Sequence, residues 1–460
     1  MAANSSQRPF GFADRVGYMF GDLGNDFTFI LSSTFMMKFY TDVMGVSPGT
    51  VGLLMMLARF VDAFTDVGMG RWVDTARPTR HGRFRPWLLR ICGPVAVSSF
   101  LIYQSWLAAA PYGVRLVWMF VTYLLWGSVF YTAINIPYGS MASAITDDPA
   151  QRTQLSTWRT IGSTLAGMVI GAGTPLLAYV TVNGRQVLSG PRMTVIAGVF
   201  SIAAVASYLA CFALVRERVT LPVSERGSPL KLLGELATSR ALIGILLAAI
   251  LLLLSMLMLN GMANYVFPNY YGNVAAQSTA ALAGNAAILA VCAPTAGALS
   301  KRFGKRSLSA AACLGSSLVL LACWGVRPAG AYGFVVFFTL ALMGVGFFNT
   351  VIWAMITDVI DDAELRTGHR SDGTIYAVYS FSRKLGQAFS SGLTGALLGL
   401  AGYSEATAFD PAVTGRIFTI ACVAPAMGFA AVAAVLWLVY PLGRKQVREN
   451  AARLAEKHSQ

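Results

Sequence analysis

Histidine, cysteine and charged residues are all scarce in this chain of 460 residues. Its 3 histidines are His81, His369 and His458, and each lies in a polar stretch outside the apolar segments. A proton relay built on histidine within those segments is therefore excluded, and no zinc signature exists. The 6 cysteines lie in apolar segments without CxxC spacing. We interpret them as small packing residues, not as a disulfide framework or a metal site.

Several functional motifs are also absent. No GxxxxGK[ST] phosphate-binding loop occurs, so we do not expect direct drive by ATP within this chain. The first eight residues lack the apolar region of a cleavable signal peptide, and none is predicted. No catalytic constellation is visible, which makes an enzyme the least favoured class. We expect no cofactor other than a coupling ion.

The composition is typical of a membrane protein, because 55% of the residues are hydrophobic and only 12% are charged. The length allows about twelve spans of about 20–25 residues, and Ala241–Leu259 is the clearest single one. The sequence predicts an all-α membrane protein with twelve transmembrane helices. The predicted spans are residues 16–40, 49–73, 87–108, 114–142, 153–181, 193–215, 240–266, 277–299, 307–325, 331–357, 373–401 and 414–441.

The net charge of +14 is distributed unevenly between the loops. Basic residues are concentrated after the second, sixth and eighth predicted spans and in the tail: Arg77, Arg80, Arg83, Arg85, Arg216, Arg218, Arg226, Lys231, Lys301, Arg302, Lys305, Arg306, Arg444, Lys445, Arg448, Arg453 and Lys457. This alternation follows the positive-inside rule and predicts cytoplasmic termini in a multi-pass plasma-membrane protein, such as one of a bacterial inner membrane. We expect the basic surface to contact lipid headgroups, not nucleic acid.

Two pairs of carboxylates interrupt the first two predicted spans. Asp22 and Asp26 lie four residues apart in the first span, and Asp62 and Asp66 have the same spacing in the second. This spacing puts both acids of a pair on one helix face. A charge near the bilayer centre costs roughly 2.5–3.5 kcal/mol on insertion scales. Counting about 1.5 Å per residue along helices of opposite direction predicts Asp26 beside Asp62 and Asp22 beside Asp66. The pairs mark where the chain handles a cation, a polar substrate, or both.

A short basic loop recurs six spans apart. The first copy is GRWVD (70–74) followed by RHGRFR (80–85), and the second is GALSKRFGKR (297–306). The chain thereby resembles the major facilitator superfamily, which implies two six-helix halves. We predict that Asp74 pairs with loop arginines such as Arg83, or with a helix terminus, to hold one gate state. Topogenic charge is the alternative interpretation. The predicted division is residues 1–215 and 240–441 for the halves, 216–239 for a cytoplasmic linker and 442–460 for a basic cytoplasmic tail.

Four ordered stretches resemble the glycoside–pentoside–hexuronide:cation symporter family. They are ARFVDAFTDVGMG (58–70), GRFRPW (82–87), WGSVFYTAINIPYGSM (126–141) and TIYAVYSFSRKLGQAFS (374–390). The resemblance covers nearly the whole chain. Within the family, NIPYGSM and FSRKLGQA are more similar to the glucuronide carriers than to the melibiose carrier.

The resemblance implies a cation site at Asp62, Asp66 and Thr132, and Thr65 stands where the melibiose carrier has an amide side chain. Two carboxylates and a hydroxyl suit Na⁺, although two acids can equally carry a proton. Arg59, one turn before Asp62, can neutralise an acid when no cation is bound. The alternative is a salt-bridged helix pair that transports no ion.

The same resemblance implies a sugar site with both acidic and basic members. It contains Asp26, Asn135, Tyr138, Arg159, Asn349, Ser380 and Lys384, and Asp22 is added because it lies one turn from Asp26. These side chains suit ligands rich in hydroxyls. Trp126 and Trp353 are predicted either to stack on a sugar face or to pack against a neighbouring helix.

Departures from the melibiose carrier bear on the substrate. Asn135 replaces an acid of that carrier, Asn349 replaces a tryptophan, and Tyr138 with the glycine after it replaces Phe-Trp. A galactoside is therefore disfavoured, and the adjacent Arg383 and Lys384 favour a glucuronide or another hexuronide. Lys384 is expected to face the cavity. Asp26, which stands where glucuronide carriers have asparagine, keeps neutral β-glycosides and pentosides open.

The sequence thus predicts a secondary active sugar transporter that works by alternating access and Na⁺- or H⁺-coupled symport. We expect it to be a monomer. Asp358, Asp361 and Glu364, facing Arg366 and Arg370, are predicted inner-gate ion pairs, and a solvated loop is the alternative. A symporter of lysolipids or other amphiphiles and a substrate sensor are the other classes considered. The sugar, the coupling ion, the stoichiometry and the direction of transport stay open.

Overall fold

A computed structural model gives the structure of residues 8–76, 78–219, 239–368 and 372–459. The chain divides into two compact units, Met1–Glu225 (unit 1) and Arg226–Gln460 (unit 2). The division falls inside the predicted linker of residues 216–239. Apart from one hairpin, the regular elements of the described chain are helical.

The described part of unit 1 contains seven α-helices, a 3₁₀-helix, a π-helical turn and the hairpin. In chain order these are α1 (Phe12–Asp42), α2 (Pro48–Thr75), α3 (Arg85–Ile102), the 3₁₀-helix Ser105–Ala109, α4 (Tyr112–Leu124), the π-helical turn Leu125–Tyr131, α5 (Thr132–Ile145), α6 (Pro149–Ala178), β1 (Tyr179–Val182), β2 (Arg185–Leu188) and α7 (Gly190–Leu214). The antiparallel strands pair Tyr179 with Leu188. Asn183 and Gly184 form their turn with φ of 51° and 76°, as a two-residue hairpin turn requires.

Unit 2 is helical throughout its described residues and contains two π-helical turns. In chain order its elements are α8 (Arg240–Tyr265), the π-helical turn Val266–Tyr270, α9 (Val274–Ala287), the π-helical turn Ile288–Cys292, α10 (Ala293–Phe303), α11 (Lys305–Val326), α12 (Ala331–Thr367), α13 (Asp372–Leu400), α14 (Pro411–Leu438) and α15 (Arg444–Ser459). The predicted basic tail is therefore mostly the helix α15.

Three long helices begin with the same local device. Ser47, Asp148 and Asp410 each precede a proline at the first helical position. Each side chain accepts a hydrogen bond from a backbone N–H two or three residues later. A capping side chain followed by proline satisfies an otherwise unpaired donor and fixes the first helical φ angle.

The two units pair their helices in the same way. In unit 1, the first helix α1 packs against α6 and α7, and α3 packs against α7. In unit 2, the first helix α8 packs against α13 and α14, and α11 packs against α14. Counting α4–α5 and α9–α10 as one span each, the first span packs against the fifth and sixth, and the third against the sixth. This recurrence is the pattern that an internal repeat produces.

Nine helices in the described part of the chain are long and apolar enough to cross a membrane. They are Arg85–Ala109, Tyr112–Ile145, Ala150–Ala178, Gly190–Leu214, Arg240–Tyr270, Val274–Phe303, Lys305–Val326, Ala331–Thr367 and Pro411–Leu438. The helices α1, α2 and α13 have 31, 28 and 29 residues, and they carry most of the predicted site residues. Their charged side chains lower the apolar character of segments that are long enough to span a bilayer. The predicted count of twelve spans stays a prediction.

Candidate functional site

The predicted cation residues lie where α2 faces the π-helical turn and α5. The Ser128 hydroxyl donates to Oδ1 of Asp62, and the Thr132 hydroxyl donates to Oδ1 of Asp66 at 2.8 Å. Asp62 is only 5% exposed. Each acid of α2 is therefore held by a hydroxyl from the neighbouring span. The structure therefore shows two carboxylate–hydroxyl pairs one helical turn apart, Asp62 with Ser128 and Asp66 with Thr132.

The π-helical turn Leu125–Tyr131 makes this approach possible. A Cβ atom at Gly127 would lie 3.4 Å from Oδ1 of Asp62, so the absence of a side chain there lets the helices come close. A π-helical turn shifts the residues that follow around the helix axis, and such turns often occur at functional sites. Ser128 was not predicted. Its position four residues before Thr132 is the sequence signal that could have revealed it.

Arg59 supplies the positive charge of this cluster. Its Nη1 lies 3.2 Å from Oδ2 of Asp62, and its guanidinium carbon lies 5.1 Å and 5.9 Å from the ring centres of Phe29 and Tyr123. The side chain of Arg59 is 9% exposed. Removing either partner of such a buried pair would leave the other charge uncompensated.

Thr65 has a different local partner. Its hydroxyl donates to the backbone carbonyl of Asp62 at 3.1 Å, which is a bond within α2. The structure therefore places the Thr65 hydroxyl against its own helix backbone, whereas Ser128 and Thr132 donate to the carboxylates.

A second cluster joins α1, α5 and α6. Nε of Arg159 lies 2.7 Å from Oδ1 of Asp22, and its guanidinium carbon lies 5.5 Å from the ring centre of Tyr138. Tyr138 stacks on Tyr18 with 4.6 Å between ring centres and donates its hydroxyl to the Tyr18 carbonyl at 2.7 Å. Asp26 accepts a hydrogen bond from Ser163 of α6. Asp22, added only on its spacing, is thus the acid that pairs with Arg159.

Asn135 belongs to a chain of amide and hydroxyl groups across three helices. The Asn25 amide donates to Oδ1 of Asn135 at 3.3 Å, and the Tyr208 hydroxyl donates to Oδ1 of Asn25 at 2.9 Å. Asn25 is 1% exposed. Neither Asn25 nor Tyr208 was predicted, although Asn25 lies between the two acids of α1.

The two tryptophans differ in exposure. Trp126 is fully buried, with its ring centre 5.6 Å and 5.4 Å from those of Tyr123 and Tyr131, which agrees with the packing alternative. Trp353 is 47% exposed. The guanidinium carbon of Arg383 lies 5.9 Å from its ring centre, an arrangement that suits a stacking surface.

The remaining predicted sugar residues lie on α12 and α13 of unit 2. The Asn349 amide lies 3.8 Å from Sδ of Met256. Ser380 is exposed, and Lys384 is half-buried. Arg383 also approaches Tyr379, with 5.9 Å between its guanidinium carbon and the ring centre. Among these predicted residues, the structure shows a contact between α12 and α13 for Trp353 and Arg383.

One of the predicted gate acids, Asp358, has a partner other than the arginines expected. Nζ of Lys305 donates to both carboxylate oxygens of Asp358 at 2.7 Å and 2.8 Å. Arg366 lies 4.0 Å from Asp362 of the same helix. Asp361 is half-buried and Glu364 is buried. The side chain of Asp74, as well as Arg370, lies outside the described residues.

Glu217 makes a contact near the predicted gate residue Arg83 that the sequence analysis did not predict. Its carboxylate accepts hydrogen bonds from the backbone N–H groups of Arg83, Phe84 and Arg85 at 2.7, 2.8 and 2.7 Å. These donors form the start of α3, where unpaired N–H groups and the helix dipole favour an anion. The predicted gate residue Arg83 is therefore held through its backbone. The sequence signal that could have revealed this contact is a single acid within a basic stretch.

The chain is similar to known proteins over nearly its whole length. The sequence profile of a family described as MFS/sugar transport protein matches residues 17–444. The chain is 31% identical over 437 residues to a glucuronide carrier protein homolog of Escherichia coli K12, covering 94% of this chain and 93% of the relative. It is 29% identical over 453 residues to an isoprimeverose transporter of Lactiplantibacillus pentosus, covering 98% and 92%.

One solved structure with a similar fold is that of a D-xylose–proton symporter. Its TM-score is 0.65 at 14% sequence identity, and the match covers 93% of this chain and 97% of that chain. At this identity the likeness concerns the fold alone.

Proposed function

The chain belongs to the MFS/sugar transport protein family, and we propose that it carries a glycoside across a membrane by cation-coupled symport. The predicted resemblance to the glycoside–pentoside–hexuronide:cation symporters is confirmed by the named relatives. The family consists of membrane transporters, and the chain is accordingly an integral membrane protein. The lysolipid alternative has no support in the names of these relatives.

The cluster on α2 carries the proposal for the coupling ion. Asp62 and Asp66 each accept a hydrogen bond from a hydroxyl of the fourth span, so two carboxylate–hydroxyl pairs lie one helical turn apart on α2. Na⁺ favours such hard oxygen ligands, and a proton on either carboxylate would have the same charge effect. Binding of the cation replaces Arg59 as the partner of Asp62, which makes ion binding an exchange of counter-charges.

The cluster around Arg159 carries the proposal for the sugar. The Arg159 side chain is 43% exposed although it pairs with Asp22, so several of its five N–H donors are available to a ligand. The ring of Tyr138 packs against the guanidinium group of Arg159 and thereby positions it. Asn135 and Asp26 add an amide and an acid, which bind neighbouring hydroxyl groups. In unit 2, we propose that Asn349, Ser380, Arg383, Lys384 and Trp353 bind the same substrate.

The favoured substrate is a glucuronide or another hexuronide, and a pentoside is the second candidate. Arg383 and Lys384 suit the carboxylate of a uronic acid, and a relative is named as a glucuronide carrier homolog. Asp26 and the isoprimeverose transporter relative support the pentoside. We further propose twelve spans, with α1, α2 and α13 crossing the membrane despite their charges, cytoplasmic termini, and alternating access by a monomer in a bacterial inner membrane.

The test is uptake into proteoliposomes with independently imposed Na⁺ and pH gradients. The panel contains a glucuronide, a neutral β-glycoside, a pentoside and a labelled lysolipid. We expect accumulation of one sugar class that depends on one of the two gradients. Accumulation of the lysolipid alone, or sugar uptake that responds to neither gradient, would contradict the proposal.

A further inference from the structure

A basic cavity lies at the end of unit 2 that the charge pattern predicts to be cytoplasmic. Its volume is about 440 Å³. Four cationic side chains and one carboxylate supply its charged lining: Lys301, Lys305, Arg444, Arg448 and Asp358. The cavity lies between the α10–α11 junction, α12 and the helix α15. It is separate from the residues proposed to bind the cation and the sugar.

Among the described residues, three of the four cationic side chains have no carboxylate as an ion-pair partner. Lys305 is neutralised by Asp358, since Nζ lies 2.7 Å from Oδ1. Within the residues that the structure describes, no carboxylate forms an ion pair with Lys301, Arg444 or Arg448. Like charges around one cavity repel one another, so an anion bound there would relieve that repulsion.

The cavity walls are held by close backbone contacts. Gly304 has a φ of 87°, and a Cβ atom there would lie 3.2 Å from Cβ of Arg444. Nη1 of Arg444 donates to the carbonyl of Arg302 at 2.9 Å. The amide of Asn450, one to two turns further along α15, donates to Asp362 of α12 at 3.1 Å. The start of α15 is thus fixed against both α12 and the α10–α11 junction.

The equivalent place in unit 1 contains a carboxylate. The third span of unit 1 is α3, and its first N–H groups are capped by Glu217, which follows the sixth span. The third span of unit 2 is α11, and its N-cap residue is Gly304. Within the described residues, no side chain accepts a hydrogen bond from the first N–H groups of α11. The segment after the sixth span of unit 2 places the cationic Arg444 there. The two units therefore differ by one carboxylate at the same point of the repeat.

We propose that this cavity binds a phosphate group, which takes at α11 the place that the Glu217 carboxylate takes at α3. A phosphate group has the charge to match Lys301, Arg444 and Arg448 and oxygen atoms to accept from their N–H donors. The group comes either from a soluble phosphorylated compound or from the headgroup of an anionic lipid. Its binding joins α15 to the α10–α11 junction.

The test uses the full-length protein purified in a neutral detergent and titrated with inorganic phosphate at constant ionic strength. The readout is the thermal unfolding midpoint, which is independent of transport. We expect a saturable rise for the unsubstituted protein. Lys301→Gln and Arg448→Gln are each expected to weaken phosphate binding roughly tenfold, as for one lost charge-assisted hydrogen bond. Arg453→Gln, an exposed change on α15 outside the cavity, is the matched control and keeps the full response.

A variant with the opposite sign completes the test. Asp358→Asn removes the single negative charge of the cavity and is expected to strengthen phosphate binding. An absent or unsaturable response in the unsubstituted protein, equal losses in Arg453→Gln and Arg448→Gln, or weaker binding in Asp358→Asn would each overturn the proposal.

Nanodiscs distinguish the two sources of the phosphate group. If a lipid headgroup occupies the cavity, phosphatidylglycerol raises the midpoint above that in phosphatidylcholine alone, and added phosphate gives no further rise. If a soluble compound occupies it, phosphatidylglycerol leaves the midpoint unchanged and the response to phosphate persists. Either result supports the anion site, and Arg448→Gln should weaken the stabilising response in both cases.

Discussion

Unit 1 and unit 2 pair their helices alike but place charge differently within them. The first two spans of unit 1 contain Asp22, Asp26, Asp62 and Asp66 among their charged residues. The corresponding segments of unit 2, residues 240–270 and 274–303, contain neither aspartate nor glutamate. Their buried polar side chains are amides and serine hydroxyls, and Gln277 donates to Asn264 at 2.7 Å.

This difference in buried charge predicts different energetic roles for the two units. A buried amide that is hydrogen-bonded costs far less than a buried charge. In the proposed mechanism, unit 1 therefore carries the desolvation cost of ion binding, and its arginines Arg59 and Arg159 offset that cost. In unit 2 the cations Arg383 and Lys384 lie on α13 and suit an anionic ligand. Coupling should accordingly depend on unit 1, and selectivity for substrate charge on unit 2.

The largest expected effect is that of Asp62→Asn on coupling. The amide keeps the shape of the side chain but removes the charge that attracts the cation and pairs with Arg59. Disrupting a buried pair costs about 3–5 kcal/mol, so cation-driven uptake should fall at least about 100-fold. Asp147→Asn, in the exposed turn after α5, is the control. Unchanged gradient dependence in Asp62→Asn would remove unit 1 from coupling.

The second effect is that of Arg159→Lys on sugar affinity. Lysine keeps the charge but loses the planar fork that contacts Asp22 and lies over Tyr138. We expect the KM for uptake to rise roughly tenfold for charged and neutral substrates alike. A KM that rises only for the charged substrate would assign charge selectivity to unit 1 instead of unit 2.

Lys384→Gln tests unit 2 for that selectivity. The substitution removes a cation but keeps a hydrogen-bond donor, so the KM for a glucuronide should rise about tenfold, the value of one charge-assisted bond. The KM for a neutral glycoside of similar size should change little. Equal changes for both substrates would indicate a structural role for Lys384.

The smallest expected effect is that of Glu217→Gln on stability. The substitution weakens the cap of α3, which has no counterpart at α11 among the described residues of unit 2. The amide retains one acceptor oxygen but loses the charge that favours the α3 start. We expect a loss of about 1–2 kcal/mol in the free energy of unfolding, measured as a lower thermal midpoint. Glu405→Gln, exposed in the loop before α14, is the control and should leave the midpoint unchanged.

Much of the candidate site was predictable because it follows from local patterns and motifs. Thr132 contacts Asp66, a pair that the motif resemblance had named together, and the cation site itself stays a prediction. The partners of the other charges were not predictable in the same way. Asp358 pairs with Lys305, 53 positions away, and the sequence offers Arg366 as an equally charged and closer partner. A choice between such partners depends on how each helix is rotated against its neighbours.

The sequence by itself determined the helical class, the recurring basic loop, the family and the two acid pairs, because apolar runs, spacing and motifs are local properties. Only the tertiary structure decided that Ser128 joins Asp62, that Asp22 pairs with Arg159, and that Glu217 caps α3. These contacts depend on the π-helical turn, which shifts the residues after it, and on the packing of distant helices. No local pattern contains that information, since it arises only when the helices pack together.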